Sequence, residues 1–165
     1  MMRFGLGLAA VIVVLDQLTK AWVVSALDSP GCGEGAENFY RGTKVTDFFN
    51  IVVVCNRGIS FGLFNEASAW GPIILIGIAV AISVFLVFWL RQAQIQLVAA
   101  AIGLILGGAI GNVIDRIRYG AVVDFLDFHA YGFHWPAFNV ADSAITVGVA
   151  LVLIDALFEK RRNAI

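Results

Sequence analysis

The chain has 165 residues, of which 60% are hydrophobic and 14% are charged. Soluble domains are about 45–50% apolar and about 25% charged, so this composition excludes an ordinary soluble domain and indicates that lipid is the solvent. The net charge of -1 gives no indication of nucleic-acid binding, and the length suits a single domain covering 1–165.

Four long apolar stretches predict four transmembrane helices at residues 4–27, 70–90, 97–114 and 140–158. Each approaches the roughly 20 residues that a helix needs to cross about 30 Å of hydrocarbon. Four spans place both termini on one side of the membrane. The flanking lysines and arginines divide equally between the two sides, but Arg3 and the C-terminal EKRR cluster favour cytoplasmic termini.

The first predicted span carries two charges four residues apart. At this spacing Asp16 and Lys20 share a helix face and can form an ion pair inside a bundle. We therefore assign both a structural role. A cleavable signal peptide is the alternative for this stretch, because VVSAL offers small residues near Ser25 and Ala26.

The first external loop is predicted to cover residues 28–69. Its Gly-rich beginning, 28–44, indicates irregular structure. The following VTDFFNIVVVCNRGISFGLF (45–64) predicts two or three short strands in a small sheet at the membrane surface. The side chains expected to anchor this sheet are Phe48, Phe49, Phe61 and Phe64.

Both cysteines of the chain, Cys32 and Cys55, lie in this loop. The absence of a Cys-x-x-Cys motif argues against a membrane thiol oxidoreductase. A Cys32–Cys55 disulfide and two free thiols are equal alternatives at this point.

The third predicted span has a glycine at every fourth residue from Gly103 to Gly111. Such a face is smooth, so a neighbouring helix can pack closely against it. Polar residues follow at the outer end of this span, at Asn112, Asp115 and Arg116. Because Asp115 and Arg116 are adjacent, we expect Asp115 to have a structural role in which Arg116 neutralises it.

The second external segment, 115–138, is rich in aromatic residues, as segments at the lipid–water interface are. His129 and His134 lie among these aromatics and have no spacing that indicates a metal site. We therefore expect them to be interfacial packing groups, and we expect neither a metal ion nor a cofactor.

The fourth span begins with a carboxylate, in FNVADS (138–143). Asn139 can be the N-cap, with Asp142 reaching back to a free backbone N–H in a capping box. An ionisable group at this depth is also a functional hypothesis. Asp124, in VVDF, is a second carboxylate without an obvious cation beside it. If the two face each other they share a proton, and such a pair can activate a water for attack on a carbonyl.

Four sequence blocks carry a family resemblance: DQLTK (16–20), VTDFFNIVVVCNRGISFG (45–62), GGAIGNVIDRIRYGAVVDF (107–125) and FNVADS (138–143). In these blocks, and over nearly the whole chain, the sequence resembles bacterial lipoprotein signal peptidase, or signal peptidase II. The resemblance implies an aspartic peptidase of the inner membrane that cuts prolipoproteins just before a cysteine carrying diacylglycerol. It also implies inhibition by globomycin-type cyclic peptides.

The resemblance implies catalytic roles for Asp124 and Asp142. It further implies substrate contacts for Asn56, Asn112, Arg116 and Asn139. The chain departs from many members of the family in the Gly-rich insert at 28–44. It departs again at 57–60, where other members often carry smaller residues.

We therefore expect an all-α membrane bundle of four helices with a small β-rich periplasmic subdomain at the membrane surface. The predicted partners are prolipoproteins with a diacylglyceryl cysteine, membrane lipid and globomycin-type inhibitors, and the expected state is a monomer. The active site is expected near the periplasmic face. The alternatives are a four-helix transporter using a carboxylate in the bundle, at Asp16 or Asp142, and a non-catalytic assembly factor using the glycine face.

Overall fold

A computed structural model describes residues 1–33, 41–58 and 70–162. The elements in chain order are α1 (Met2–Ala26), β1 (Arg41–Lys44), β2 (Phe49–Asn56), α2 (Trp70–Gln92), α3 (Gln96–Tyr119), β3 (Val122–Ala130), β4 (Phe133–His134) and α4 (Val140–Arg162). Within these residues, four helices are long and apolar enough to cross a membrane, α4 over Val140–Phe158. The predicted fold class is therefore confirmed.

The helix α3 is the centre of the bundle and packs against the three other helices. Its glycine face meets α1, where a Cβ atom at Gly103 would lie 2.5 Å from the carbonyl oxygen of Gly5. A Cβ atom at Gly107 would lie 2.7 Å from the carbonyl oxygen of Ala9. The predicted close packing on this face is confirmed, because a larger side chain would force the two backbones apart.

The helices α4 and α2 differ in how closely they approach α3. A Cβ atom at Gly108 would collide with the carbonyl oxygen of Ala141, so α4 touches α3 almost backbone to backbone. In contrast, the buried residues of α2 are Leu86 and Leu90, near its C-terminal end. The helix α2 is therefore the peripheral member of the bundle, whereas α1, α3 and α4 form a tight three-helix unit.

The strands form one antiparallel sheet in the order β1-β2-β3-β4. The prediction for this sheet is wrong in part, because β1 precedes the expected region and β3 and β4 come from the second external segment. Residues 122–125 of β3 are all buried. A strand buried on both faces shows no apolar–polar alternation, so the sequence pattern did not reveal it. Residues 59–64, with Phe61 and Phe64, lie outside the described residues.

The register between β2 and β3 places the end of β2 beside the beginning of β3. Cα pairs run from Phe49–Phe128 to Asn56–Val122, with an irregularity between Ile51 and Val54. The rings of Phe49 and Phe128 pack with their centroids 4.8 Å apart. Of the predicted anchors, Phe48 is 59% exposed, which suits an anchor, whereas Phe49 is half-buried in the sheet.

A disulfide joins Cys32 to Cys55 and ties the loop after α1 to the end of β2. Of the two alternatives left by the sequence, the disulfide is the one found. Cys32 is buried in a small core between α1 and the sheet, together with Val23, Val53, Ala121, Val123 and Phe125. The last residues of β2 are thereby held from both sides, by β3 and by this bond.

The turn between β3 and β4 projects aromatic side chains. Tyr131 and Gly132 have left-handed φ values of 51° and 80°, which close the hairpin. Tyr131 and Phe133 are exposed. Behind the turn, the rings of His129 and His134 stack with centroids 4.8 Å apart. The packing expected for the histidines is found, and His134 Nδ1 also lies 2.8 Å from Asp127 Oδ1.

Candidate active site

The first turn of α4 has the geometry of a capping box. The backbone N–H of Asp142 donates to Asn139 Oδ1 at 2.9 Å, and the backbone N–H of Asn139 donates to Asp142 Oδ2 at 3.3 Å. The two side chains thus satisfy backbone donors that the helix itself cannot satisfy. The predicted capping box is therefore confirmed. It holds the Asp142 carboxylate at the first turn of α4.

Asp124 lies on β3 and is 1% exposed. Its Oδ1 accepts a hydrogen bond from Asn139 Nδ2 at 2.6 Å, and its Oδ2 accepts one from Asn56 Nδ2 at 3.0 Å. The β2–β3 register supplies Asn56, and the α4 cap supplies Asn139. Two elements distant in sequence therefore converge on one carboxylate.

Asn112, on α3, completes the set of amides. Its Nδ2 donates to Asp142 Oδ1 at 2.8 Å. Together with the backbone N–H of Asn139, this gives each oxygen of Asp142 one donor. We refer to Asp124 and Asp142 as the dyad and to Asn56, Asn112 and Asn139 as the three amides.

The two carboxylates of the dyad interact electrostatically. Burial, and then the negative charge of Asp142, raise the pKa of Asp124 to about 7. Hydrogen bonds from Asn56 and Asn139 and the positive charge of Lys20 act in the opposite direction. Near neutral pH, Asp124 can therefore hold a proton while remaining able to give it up.

Beneath the dyad, Asp16, Lys20 and Asp115 form what we call the charged cluster. Lys20 Nζ lies 2.8 Å from Asp16 Oδ2 and 2.8 Å from Asp115 Oδ2. The predicted Asp16–Lys20 pair is thus confirmed. Asp16 Oδ1 also accepts the backbone N–H of Ala141 at 3.0 Å, which couples the cluster to the first turn of α4.

The expected pairing of Asp115 with Arg116 is wrong. The Asp115 carboxylate pairs with Lys20 and accepts hydrogen bonds from Gln17 Nε2 at 2.9 Å and from the backbone N–H of Val123 at 3.1 Å. Adjacent residues on a helix point in directions about 100° apart, so neighbours in sequence do not face each other. Gln17 is a site residue that we did not single out, although it lies within the quoted DQLTK block.

Arg116 is half-buried next to the dyad. Its Nη1 donates to the carbonyl oxygen of Asn112 at 3.5 Å, and its guanidinium interacts electrostatically with Asp142 and Asp124. Within the described part of the chain, its buried Nε has no hydrogen-bond partner. A buried donor without a partner is costly.

The structure therefore brings all the predicted site residues together. Among residues 1–33, 41–58 and 70–158, no cluster of three or more His, Cys, Asp or Glu side chains could hold a metal ion. The donors and acceptors of the site are carboxylates, amides and one guanidinium. This set can exchange protons and bind a peptide backbone.

Known proteins resemble this chain over most of its length. The family model described as signal peptidase (SPase) II matches residues 8–158. A lipoprotein signal peptidase from Ralstonia nicotianae is 46% identical over 158 residues, covering 95% of this chain and 86% of the relative. A lipoprotein signal peptidase from Cupriavidus necator is 42% identical over 159 residues, covering 96% and 85%.

The fold is also similar to a solved structure, described as a bacterial membrane enzyme determined by the in meso method at 2.3 Å resolution. The two share 30% sequence identity and superpose with a TM-score of 0.75, over 94% of this chain and 88% of the other. The comparisons give no support to the transporter alternative. The chain belongs to the signal peptidase II family.

Proposed function

We propose that this chain is an aspartic endopeptidase that removes signal peptides from prolipoproteins, with Asp124 and Asp142 as its catalytic dyad. The observation that carries the proposal is that two carboxylates, from β3 and α4, lie in one network of amides: Asn56 and Asn139 donate to Asp124, and Asn112 donates to Asp142. Membership of the signal peptidase II family supplies the reaction.

The surroundings of the two carboxylates favour different roles. Asp142 is partly exposed at a helix N-terminus, where the helix dipole favours a negative charge. Asp124 is buried, and its raised pKa of about 7 favours the protonated form near neutral pH. We therefore assign Asp142 as the base and Asp124 as the acid.

The reaction needs no nucleophilic side chain. Asp142 takes a proton from a water molecule as the water oxygen bonds to the scissile carbonyl carbon, and Asp124 gives its proton to the carbonyl oxygen. When the tetrahedral intermediate collapses, the C–N bond breaks and the proton on Asp142 moves to the leaving nitrogen. The hydroxyl proton returns to Asp124, which restores the dyad.

The polar residues around the dyad divide into two groups. Asn139 and Asn112 are buried and already donate to the dyad, so their first role is to orient it. Asn56 is exposed and Arg116 is partly exposed beside the dyad, which suits contact with the substrate backbone or ester oxygens. Arg116→Ala should raise KM more than it lowers kcat. The matched control is Arg118→Ala, two residues further along α3.

We infer that the substrate cysteine must carry its lipid. A signal peptide is an apolar helix and reaches the site through the bilayer. The acyl chains on the modified cysteine also stay in the bilayer. Chains already in lipid gain little further hydrophobic free energy, so selection must come from the glycerol and ester groups and from the shape of the site. Globomycin-type cyclic peptides should compete for the same site.

The disulfide bears on the topology that we propose. Disulfides persist in oxidising compartments, and Cys55 directly precedes Asn56 of the site. The site end then faces the periplasm and both termini face the cytoplasm, in the bacterial inner membrane. After reduction of intact spheroplasts, a membrane-impermeant maleimide should label the half-buried Cys55, and labelling that appears only once the membrane has been permeabilised would reverse the topology.

The proposed function is tested by incubating the purified protein, in detergent or a bilayer, with a diacylglyceryl precursor and with its unmodified twin. The lipidated precursor should yield a product whose mass corresponds to cleavage directly before the modified cysteine. The unmodified precursor should be cut far more slowly. Equal rates would leave a general membrane peptidase, and no cleavage of either would reject the proposal.

A further inference from the structure

Lys20 is 4% exposed, and its ammonium group has three polar partners. Two are the carboxylates of the charged cluster, Asp16 and Asp115, each at 2.8 Å. The third is Asn112 Oδ1, at 3.3 Å. An ammonium group has three N–H donors, so the partners match its capacity. The contact with Asn112 is the one that leads out of the cluster toward the dyad.

The contact between Lys20 and Asn112 bears on which way the Asn112 amide faces. An asparagine side chain has an acceptor end and a donor end of nearly equal shape, and its neighbours decide the orientation. Asn112 Oδ1 accepts from Lys20 Nζ and from Asn139 Nδ2, each at 3.3 Å, so Asn112 Nδ2 points the other way and donates to Asp142 Oδ1. A reversed amide would place two oxygens face to face.

The other two amides are oriented by backbone donors. The N–H of Gly58 donates to Asn56 Oδ1 at 3.1 Å, and the N–H of Asp142 donates to Asn139 Oδ1. Each of the three amides therefore turns its NH2 group toward the dyad. Asn112 differs because side chains orient it: Lys20 from α1, 92 residues away, and Asn139, whose Nδ2 is shared with the nearer acceptor Asp124 Oδ1.

We propose that Lys20 is a positioning residue for the dyad: it fixes the amide of Asn112 so that Nδ2 faces Asp142. This inference rests on the proposed function and extends it to a residue that does not touch the substrate. Lys20 would then link the structural charged cluster to the chemistry, whereas the sequence assigned it a structural role alone.

Lys20 also acts on Asp124 through its charge. The charged groups that act on Asp124 are Asp142 from α4, which raises its pKa, and Lys20 from α1, which lowers it, while Arg116 on α3 interacts with both carboxylates. Removing the Lys20 charge should therefore raise the pKa of Asp124. If Asp124 is the acid, the alkaline limb of the pH–rate profile moves to higher pH.

The test compares Lys20→Met with Asp16→Asn, using the full-length protein and a lipidated precursor. Lys20→Met should lower kcat by about 100-fold, as misplacement of a catalytic group does, with little change in KM. Its alkaline limb should lie at higher pH. Asp16→Asn is the control, because it neutralises a cluster carboxylate but keeps the Lys20–Asn112 contact, and its loss of kcat should be smaller.

A double-mutant cycle separates positioning from stability. If Lys20 acts through Asn112, Lys20→Met should change kcat little in an Asn112→Ala background. An equal loss in both backgrounds, or a folded Lys20→Met variant with kcat within about twofold of the parent, overturns the proposal. Should Lys20→Met fail to fold, the charge-balanced Asp16→Asn/Lys20→Met variant takes its place in both comparisons. If Asp124→Asn and Asp142→Asn remain active, the proposed function itself fails instead.

Discussion

The dyad and the charged cluster each contain two carboxylates assembled from distant parts of the chain, but their donors differ. In the cluster, a single ammonium group lies 2.8 Å from both Asp16 and Asp115. In the dyad, the hydrogen bonds come from asparagine amides and one backbone N–H. An amide donor carries no net charge, whereas the ammonium group is a charged partner for both carboxylates of the cluster.

This difference explains why one pair suits catalysis and the other suits structure. Asp16 and Asp115, joined by Lys20 and by the backbone N–H of Ala141, hold three helices together. Carboxylates with neutral donors can share a proton, at the cost of a less stable arrangement. The following expectations separate the two regions, from the largest effect to the smallest.

Neutralising either member of the dyad should have the largest effect. Asp124→Asn and Asp142→Asn each remove the group that carries or accepts the proton, so we expect cleavage to fall by about 1,000-fold or more. Matched controls are Asp127→Asn on β3 and Asp155→Asn on α4, which should retain activity. The measurement is single-turnover cleavage of the lipidated precursor, and near-normal turnover in either dyad variant would remove that residue from the dyad.

Asp115→Asn should affect stability more than activity. It removes one of the two anions around Lys20, and breaking a buried ion pair costs about 3–5 kcal/mol of stability. We expect a clearly lower Tm in detergent, with measurable cleavage below that temperature, and Asp155→Asn again serves as the control. A fully inactive but folded variant, together with an active Asp124→Asn variant, would make Asp115 a member of the dyad.

Asn56→Ala should shift the pH–rate profile. The Asn56 amide stabilises ionised Asp124, so its removal raises a pKa that is already about 7. As the acid, Asp124 is active below its pKa, and activity is lost as the pH rises through it. The alkaline limb should therefore move up by about 0.5–1 unit. An activity that instead increases with pH through 7 would make Asp124 the base.

The exposed pair of Lys44 and Asp47 provides the contrasting case. Lys44 Nζ lies 2.5 Å from Asp47 Oδ1, but both side chains are largely exposed to solvent. Surface ion pairs are screened and contribute little, so Lys44→Ala should leave the Tm and the cleavage rate unchanged. A Tm loss comparable to that of Asp115→Asn would show that burial does not explain the difference between the charge pairs.

The helices and the capping box could be predicted because their signals are local, whereas the pairing of Asp124 with Asp142 was inferred from the lack of a nearby cation and from the family resemblance. Apolar runs of about 20 residues define the spans, and the capping box of Asn139 and Asp142 lies within four residues. The glycine spacing of α3 predicted its close neighbour for the same reason. In each case the residues that determine the structure are neighbours along the chain.

The partners of the charged cluster could not be predicted in this way. Gln17 and Asp115 are 98 residues apart, and Lys20 and Asn112 are 92 residues apart. Local reasoning therefore paired Asp115 with its neighbour Arg116. The strand β3 was not predicted for a different reason. A buried strand that carries its own acidic residue has neither a helical nor an alternating pattern of apolar residues.

The disulfide has a consequence for the order in which the molecule is assembled. Cys32 and Cys55 are separated by 23 residues and precede α2. In contrast, Asp124, the β3 residue to which Asn56 donates, lies 68 residues further along the chain. During synthesis β2 must therefore wait as an unpaired edge, which is where chains misassemble. A bond across 23 residues removes about 3 kcal/mol of unfolded-chain entropy. It can hold β2 against α1 until the third helix has been inserted and the sheet can close.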